Sequence, residues 1–561
     1  VAHLRRWAAQ TDTGDRDELV PGPSERAWAQ VSVGARECLG ASRCPYGGEC
    51  FAERAREQAA GADLVVTNHA LLAIDAIEGL RVLPEHQAVI VDEAHELAAR
   101  VTGVATQELS AGLVDRAARR ARPHLGGPAD AAPAADPADL LAEAGAALEE
   151  ALSSVPDGRL RHLPEDLAAA VRLVRDAAHT VLTATGGDRD RGDLDAEAAR
   201  RQAQALVEEV HAVASRLAER SEHDVAWRLT RERGGPAIRV APLSVAGLLR
   251  ERLFGRRTVV LTSATLALGG GFGPVAARVG LVGPAGGGTA GEPAGRPGEE
   301  PAGGPGDEPR WTGLDVGSPF DHRRQGVLYV ARHLPPPGRD GLAAAVIDEL
   351  ADLVAAAGGR TLGLFSSRRA AGEAAAALRA RLDVPVLLQG EDATAELVRR
   401  FAADARTCLF GTLSLWQGVD VPGSACQLVV IDRLPFPRPD DPLASAQQEA
   451  VNRAGGNGFL AVAASHAALL LAQGAGRLLR TAQDRGVVAV LDPRLDTARY
   501  AGFLRASLPP LWYTTDPAQV RRSLAAIDAT APAPLPVPPR PATPDAVTSF
   551  DVGGLGDLVA S

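Results

Sequence analysis

The sequence predicts an α/β protein built on parallel sheets, with a helical domain inserted in the first part of the chain. The apolar runs AVIV at 88–91 and TVVL at 258–261 are unbroken, as is typical of strands covered on both faces of a parallel sheet. Beyond residue 360, similar runs alternate with Ala-rich helical stretches, which indicates a second α/β domain. From about 105 to 222 the apolar spacing is helical, which predicts the insertion.

The individual elements follow from the same patterns. ADLVVTNHALL predicts a short buried strand over 64–67 that runs into a turn, and VAWRLTRERGGPAIRVAPL predicts a hairpin around Gly234 and Gly235. The Gly/Pro/Glu-rich segment 283–309 predicts a flexible linker, and the Pro-rich tail predicts disorder. The second domain has predicted strands in TLGLFSS, VPVLLQG, TCLFGT, QLVVIDRLPF and VVAVLDP.

Composition bounds the class of protein. A chain of 561 residues is too long for one ordinary core. No apolar run approaches the roughly 20 residues that cross a membrane, and no signal peptide is evident. The net charge of −11 argues against bulk attraction to nucleic acid, although it permits a local basic groove. Five Cys in such a chain do not make a disulfide scaffold, which favours a reducing, cytosolic compartment.

The segment VIVDEAHELA, at 89–98, places two carboxylates directly after a predicted strand. Ligands of open α/β sheets bind at the carboxyl ends of strands. Asp92 is therefore suited to hold Mg²⁺ on a nucleotide, and Glu93 to orient or deprotonate the water that attacks a γ-phosphate. The alternative is a chance tetrapeptide with two solvated loop carboxylates, which the position after a buried strand disfavours.

An ATP site of this kind also needs a phosphate-binding loop. The P-loop signature G-x-x-x-x-G-K-[ST] requires a Lys, whereas all 59 basic residues of this chain are Arg. The chain also lacks Met and begins with Val1, which we interpret as a truncated record or a GTG start codon. We therefore expect the chain as written to show no measurable ATP hydrolysis.

Further signals follow the Asp-Glu-Ala-His box in a fixed order. They are SAT at 263–265, SS at 366–367, FGTLSLWQGVDVPG at 410–423 and QGAGRLLRTAQDRG at 473–486. As an ordered set they resemble motifs II to VI of the superfamily 2 helicases. The sequence SPF at 318–320, W-x-G-V-D and Q-x-x-G-R-x-x-R resemble the DinG/XPD branch in particular. The resemblance runs from about residue 30 to 500.

The resemblance implies two RecA-like domains that enclose ATP. His95 would couple the Asp92–Glu93 site to the second domain, and Gln473, Arg477 and Arg480 would reach across from it. The two arginines are the expected arginine fingers, which neutralise charge on the transferring phosphoryl group. Their spacing of three predicts a shared helix face. The alternative for both is an ordinary surface arginine.

The resemblance also assigns nucleotide and DNA contacts. Gly418 and Asp420 lie in a predicted turn whose counterparts contact nucleotide or the arginine of the sixth motif. Gln417 departs from the Glu of many relatives, which puts a charge-based role at that position in doubt. The hydroxyl side chains at predicted strand ends are candidates to bind DNA phosphates, or alternatively only to cap helices. These are Ser263, Ser366, Ser367 and Thr412.

Three of the five cysteines cluster at Cys38, Cys44 and Cys50, with a spacing that is wrong for common zinc sites. In DinG/XPD helicases a [4Fe–4S] cluster is held by four Cys, three of them shortly before the Asp-Glu-Ala-His strand. The resemblance therefore implies that these three bind the cluster and that the fourth ligand, which lies upstream in the family, is missing. Cys408 and Cys426 are predicted to be buried core thiols.

The sequence is thus interpreted as part of an ATP-dependent 5′→3′ DNA helicase that acts in repair or replication. It would use ATP and Mg²⁺, bind single-stranded and forked DNA, act as a monomer in the cytoplasm and have no membrane partner. One alternative is a non-enzymatic DNA-binding remnant. Another is a DinG-type nuclease, against which the three clustered cysteines argue.

The expected domains follow this interpretation along the chain. They are an iron–sulfur region remnant at 1–62, part of the first RecA-like domain at 63–104, a helical arch insertion at 105–235, a return to the first domain at 236–282, a linker at 283–310, the second RecA-like domain at 311–520 and a disordered Pro-rich tail at 521–561.

Overall fold

The computed structural model describes most of the chain. The described residues are 2–19, 22–28, 31–33, 38, 40–41, 44, 46–79, 82–125, 136–185, 194–231, 234–281, 311–338, 341–412, 415 and 421–536. The predicted linker at 283–310 and the tail beyond 536 lie outside them. Among the described helices, none combines the length and the apolar character that a bilayer crossing needs.

The N-terminal part of the chain leads into a single strand, β1, at Ala88–Val91. The segment 64–67, predicted as a buried strand, is not one. Leu64 is 78% exposed and Val66 is 90% exposed, and neither belongs to a strand. An apolar run becomes a strand only where a neighbour pairs with its backbone, and the described residues supply none here. The helices of this part are α1 Ala2–Ala8, α2 Glu25–Trp28, α3 Phe51–Ala60, α4 His69–Ala73 and α5 Leu97–Ala105.

The insertion combines a helical layer with an antiparallel sheet of four strands in the order β2-β5-β4-β3. The predicted hairpin is confirmed, since β4 and β5 pair around Gly234 and Gly235, which both have positive φ. Its strands are β2 Gln107–Leu109, β3 Gly158–Leu160, β4 Asp224–Arg231 and β5 Gly235–Pro242. Its helices are α6 Ala111–Ala121, α7 Pro137–Ser153, α8 Glu165–Thr185 and α9 Leu194–Ala218.

The chain then returns beside β1. After α10, Ala246–Leu249, strand β6, Thr258–Leu261, pairs with β1 in parallel, and α11 follows at Gly273–Val279. Together β1, β6 and the helices around them form the first parallel-sheet unit. Its apolar core lies under α4, α5 and α10, while Ile90 on the strand face is 72% exposed.

The second parallel-sheet unit holds a sheet of seven strands in the order β13-β7-β12-β11-β8-β10-β9, all pairing in parallel. Apolar clusters cover both faces, which explains the unbroken apolar runs. The predicted α/β class with parallel sheets is therefore confirmed. The strands are β7 Gly326–Val330, β8 Thr361–Leu364, β9 Val386–Leu388, β10 Cys408–Gly411, β11 Leu428–Ile431, β12 Gly486–Val490 and β13 Trp512–Thr514.

The helices of the second unit alternate with these strands. The predicted tail begins too early, because residues 521–530 belong to the last helix, whose Val520 and Leu524 are buried against the sheet. The helices are α12 His322–Gln325, α13 Ala344–Ala356, α14 Arg368–Arg379, α15 Thr394–Ala403, α16 Pro442–Arg453, α17 Ser465–Ala475, α18 Arg494–Thr497, α19 Ala501–Ala506 and α20 Pro517–Thr530.

The insertion contacts the second unit although its chain leaves and re-enters the first. Arg159 of β3 donates to Glu449 of α16 over 2.9 Å, and Arg161 pairs with the same carboxylate. Gln447 of α16 donates to the backbone carbonyl of Leu243 over 3.0 Å. We call these contacts the α16 clamp.

Candidate active site at the junction of the parallel-sheet units

Asp92 and Glu93 lie directly beyond β1, as the sequence predicts, and both side chains are exposed. Glu93 adopts a left-handed conformation with a φ of 47°, and its N–H donates to Asp92 Oδ1 over 2.9 Å. The turn is tied to β6, because the Ala94 N–H donates to the Thr262 carbonyl over 3.0 Å. A non-Gly residue with positive φ costs free energy and is common at functional sites.

The SAT segment beyond β6 contacts this turn through side chains. Ser263 Oγ donates to Glu93 Oε2 over 2.8 Å, and His95 Nδ1 lies 2.8 Å from the same Oγ. Thr265 Oγ1 lies 3.1 Å from His95 Nδ1. The carboxylate of Glu93, the imidazole of His95 and two hydroxyl groups thus form one hydrogen-bonded group.

His95 also contacts the second unit, because its Nε2 is hydrogen-bonded to Nε2 of Gln473 on α17. The reversed amide would face the ring with its oxygen and need the proton on Nε2, whereas with the amide nitrogen facing the ring Nε2 accepts and the proton lies on Nδ1. That tautomer donates from Nδ1 to Ser263 Oγ, whose own proton goes to Glu93. Burial lowers the pKa of His95, which favours the neutral ring that this arrangement needs.

Arg477 and Arg480 follow α17 closely but do not share a helix face, so that prediction is wrong. The helix ends at Ala475, and both arginines lie in the turn beyond it. The carboxylate of Asp484 holds this turn, accepting from the N–H groups of Arg480 and Thr481 over 2.7 Å each. The sequence Q-x-x-G-R places Gly476, a poor helix former, at the residue where the helix stops.

The predicted DNA-contact residues are spread over two sheet edges. Ser263 is beside Glu93, whereas Ser366, Ser367 and Thr412 lie beyond β8 and β10 of the second unit. Gly418 and Asp420 lie outside the described residues.

The hydroxyl protons of these four residues have different partners. Ser263 donates to Glu93, Ser366 donates to Asp432 Oδ2 over 2.9 Å, and Thr412 donates to Gln389 over 3.1 Å. Ser367 caps α14 by accepting from the Ala370 N–H over 3.1 Å, and its proton has no acceptor within the described ranges. Within the described part of the chain, Ser367 is thus the one of the four whose hydroxyl proton is not already bound.

Asp432, which sequence analysis missed, organises the edge beyond β11. It is 3% exposed and also accepts from the N–H groups of Ser366, over 2.9 Å, and Arg433, over 2.8 Å. Burial raises its pKa to about 6, so the carboxylate remains mostly ionised at neutral pH. The sequence feature that could have identified Asp432 is its position directly after an apolar run, which Asp92 shares. A second missed residue is His69, whose Nε2 lies 2.8 Å from the Asp92 carbonyl oxygen.

The five cysteines fall into two groups. Cys38, Cys44 and Cys50 are partly exposed, and Cys50 immediately precedes α3. Cys408 and Cys426 are buried, and burial raises the pKa of each thiol to about 12. The described part of the chain gathers no three Cys, His, Asp or Glu side chains into a metal-binding group. The clustered thiols therefore have the right chemistry for iron but not, as placed, the geometry.

A magnesium ion on a nucleotide makes smaller demands. Mg²⁺ keeps several waters and is commonly held by one or two carboxylates together with phosphate oxygens. The exposed carboxylate of Asp92, at the carboxyl end of β1, meets that requirement without further protein ligands.

Comparison with known proteins agrees with the motifs. Residues 350–511 match the helicase C-terminal domain family. The chain is 52% identical over 546 residues to the ATP-dependent helicase DinG of Mycobacterium tuberculosis (strain ATCC 25177 / H37Ra), covering 95% of this chain and 77% of that protein. It is 32% identical over 535 residues to the ATP-dependent DNA helicase YoaA of Escherichia coli (strain K12), covering 94% and 79%.

More distant similarities include one relative described as a nuclease and one solved structure. The 3′-5′ exonuclease DinG of Bacillus subtilis (strain 168) is 27% identical over 570 residues, covering 91% of this chain and 58% of that protein. A solved XPD helicase has a TM-score of 0.45 at 14% identity, covering 79% of this chain and 72% of that chain. Since the mycobacterial similarity spans nearly the whole chain and over two thirds of that relative, this chain belongs to the DinG family of superfamily 2 helicases.

Proposed function

We propose that this chain is the motor portion of an ATP-dependent DNA helicase that moves 5′→3′ along single-stranded DNA. The observation that carries the proposal is the hydrogen-bonded path from Glu93 through Ser263 and His95 to Gln473. It joins the residue suited to activate water to the helix that leads into Arg477 and Arg480. Hydrolysis and the relative position of the two units are thereby coupled.

The proposed chemistry is in-line attack of water on the γ-phosphate of ATP. Asp92 would hold Mg²⁺, which would supply positive charge beside the phosphates. Glu93 accepts the proton of the attacking water, and the Ser263 hydroxyl orients its carboxylate. Arg477 and Arg480 stabilise negative charge on the transferring group. Gly418 and Asp420 are proposed nucleotide contacts on the resemblance alone.

His95 is a positioning residue in this scheme. As a neutral ring it donates through Nδ1 and accepts through Nε2, so it can hold Ser263 and Gln473 at the same time. A protonated ring would donate at both nitrogens, so it could bond Gln473 only through the amide oxygen. Burial lowers the pKa of His95, which favours the neutral ring at neutral pH.

The proposed DNA track runs along the carboxyl edge of the second sheet. Ser366, Ser367 and Thr412 lie at this edge, and their strands β8 and β10 are neighbours. Ser367 is proposed to donate a hydrogen bond to a DNA phosphate. Ser366 and Thr412 instead hold the segments beyond β8 and β10 through hydrogen bonds to Asp432 and Gln389. Ser263 belongs with the ATP site. The protein is proposed to act in the cytoplasm, as a monomer on single-stranded and forked DNA.

Replacing Ser367 should weaken DNA binding, and replacing Ser366 should not. Ser367→Ala is expected to lower affinity for single-stranded DNA by about 10- to 150-fold, the contribution of one hydrogen bond to a charged group such as a phosphate. Ser367→Asp retains the helix cap but brings a negative charge beside the phosphate, so it should bind more weakly still. Fluorescence anisotropy at fixed salt measures both.

Ser366→Ala is the matched control, because it removes a hydroxyl whose proton is already bound by Asp432. Thermal unfolding of the three variants separates binding from folding. Weaker binding by Ser366→Ala than by Ser367→Ala would reverse the assignment.

We further propose Cys38, Cys44 and Cys50 as ligands of a [4Fe–4S] cluster completed by a cysteine from elsewhere. Family membership and the partial exposure of the three thiols support this. Because each iron of the cluster needs a ligand, three cysteines leave one iron open. We expect residues 1–561 alone to hold the cluster poorly.

The cysteine assignment predicts a contrast in colour and in thiol protection. We define the P-loop chimera as residues 1–561 preceded by a DinG helicase segment that carries a P-loop and the remaining cysteine ligand. Purified without oxygen, it should be brown with about four irons per chain. Cluster binding should protect Cys38, Cys44 and Cys50 from alkylation, read by mass spectrometry.

Serine variants provide the control for the cluster. Each change at the three clustered cysteines should bleach the protein, since metal binding and local folding are coupled. Cys408→Ser and Cys426→Ser should leave the colour unchanged, because those thiols are buried. Stoichiometric zinc in place of iron, or a need for Cys408, contradicts the assignment.

The helicase function itself is tested by strand displacement with the P-loop chimera. Partial duplexes with a 5′ or a 3′ single-stranded tail should be separated only from the 5′ tail and only with ATP and Mg²⁺. DNA binding without ATP hydrolysis would instead support the non-enzymatic remnant. Strand shortening without unwinding would support the nuclease.

A further inference from the structure

Three aromatic rings form a contiguous group beside the carboxyl edge of the second sheet. Phe436, Phe459 and Tyr500, which we call the aromatic triad, have ring centroids 5.1 to 5.4 Å apart. Phe436 and Tyr500 meet edge to face at 86°, and Phe459 is tilted by 44° and 48° to the other two rings. These are favourable geometries for aromatic pairs.

The backbone around Phe459 is held in a fixed conformation. Phe459 begins a π-helical turn, Phe459–Ala464, and turns of this kind are frequent at functional sites. The Gly458 N–H donates to the Asn452 side chain over 2.8 Å, and the Leu460 N–H donates to the Asn457 side chain over 3.0 Å. A Cβ on Gly458 would lie 2.2 Å from the Gln448 carbonyl oxygen, so only glycine fits there.

The triad is open to solvent on one side. Phe459 is 38% exposed, whereas Phe436 and Tyr500 are half-buried and pack against the apolar core of the second unit. Core packing therefore explains why Phe436 and Tyr500 are aromatic, but it does not explain the exposed ring of Phe459. Arg494 lies 5.8 Å from the centre of the Phe436 ring and is anchored by the buried Asp492.

The position of the triad relates it to the proposed DNA track. Phe436 follows Asp432 in the segment beyond β11, and Asp432 binds Ser366 at the end of β8. Strands β12, β11, β8 and β10 are consecutive in the sheet. The segments that carry Phe436 and Tyr500 therefore leave the same edge of the sheet as the segments that carry the hydroxyl groups.

We propose that the aromatic triad is a stacking platform for a nucleobase of single-stranded DNA, with Phe459 as the contacting ring. An exposed ring on a rigid support, beside groups suited to bind phosphate, is the arrangement by which proteins bind single strands without reading sequence. Stacking fits every base, because each has a flat π face. The inference rests on the proposed DNA-binding function and adds the base contact to it.

The test compares ordinary and abasic single strands, measured by fluorescence anisotropy with residues 1–561. Phe459→Leu keeps an apolar side chain of similar size but removes the ring. It should bind oligothymidylate about 5- to 150-fold more weakly, the range expected for one stacked base. Its affinity for an abasic strand of equal length should equal that of the unaltered protein. Phe459→Trp should restore or strengthen binding to oligothymidylate.

Trp512→Leu is the matched control, since Trp512 is 42% exposed but lies at the start of edge strand β13. It should bind both strands as the unaltered protein does. Unchanged binding by Phe459→Leu, or an equal loss on ordinary and abasic strands, overturns the platform. Failure of the unaltered protein to bind either strand overturns the DNA-binding function and the platform with it.

Discussion

Replacing Glu93 with Gln in the P-loop chimera is expected to lower ATP turnover by about 10²–10⁴-fold, the contribution of a well-placed general base. The amide keeps the size of the side chain and its oxygen can still accept from Ser263, so the turn beyond β1 should be retained. It cannot take a proton from water. ATP and DNA binding should therefore persist while unwinding stops.

Glu96→Gln provides the control for this change. Glu96 lies three residues further on and pairs with Arg100 at the protein surface. Its replacement should leave turnover within a small factor of the unaltered chimera. Steady-state hydrolysis with and without single-stranded DNA measures both variants, and near-normal turnover in Glu93→Gln would remove the assigned role.

Arg480→Ala should have an effect of similar or larger size, since arginine fingers contribute about 10³–10⁵-fold to the rate of phosphoryl transfer. The backbone of Arg480 is fixed by Asp484, so truncating the side chain should leave the turn in place. The rate constant should fall more than the affinity for ATP, because the charge that Arg480 stabilises develops in the transition state.

The matched control is Arg485→Ala, an exposed arginine just before β12. Single-turnover hydrolysis and equilibrium binding of a labelled ATP analogue separate the two effects. A loss of ATP affinity at an unchanged rate would make Arg480 a binding residue and not a finger.

Much of the fold could be predicted because apolar runs carry it. Strands β1, β6, β8, β10, β11 and β12 each coincide with such a run. The hairpin of the insertion was predicted from its two adjacent glycines. The segment 64–67 has the same local pattern but is not a strand. Composition shows that a segment can be buried, whereas pairing depends on a neighbour that lies far away in sequence.

The candidate site shows a similar division. Asp92 and Glu93 could be placed because both follow their strand directly. The prediction that Arg477 and Arg480 share a helix face was wrong, because their spacing alone does not show where α17 ends. The partners of the hydroxyl protons, such as Asp432 for Ser366, could not be predicted, since they are set by contacts between distant strand ends.

The α16 clamp has a mechanical consequence. The insertion is linked covalently to the first unit and ionically to the second, so a force that separates the units loads Arg159, Arg161 and Glu449. Partly exposed ion pairs of this kind contribute at most about 1 kcal/mol each and weaken as salt rises. Rising ionic strength should therefore loosen the hold of the second unit on the insertion and leave the Gln447 hydrogen bond as the remaining contact of the clamp.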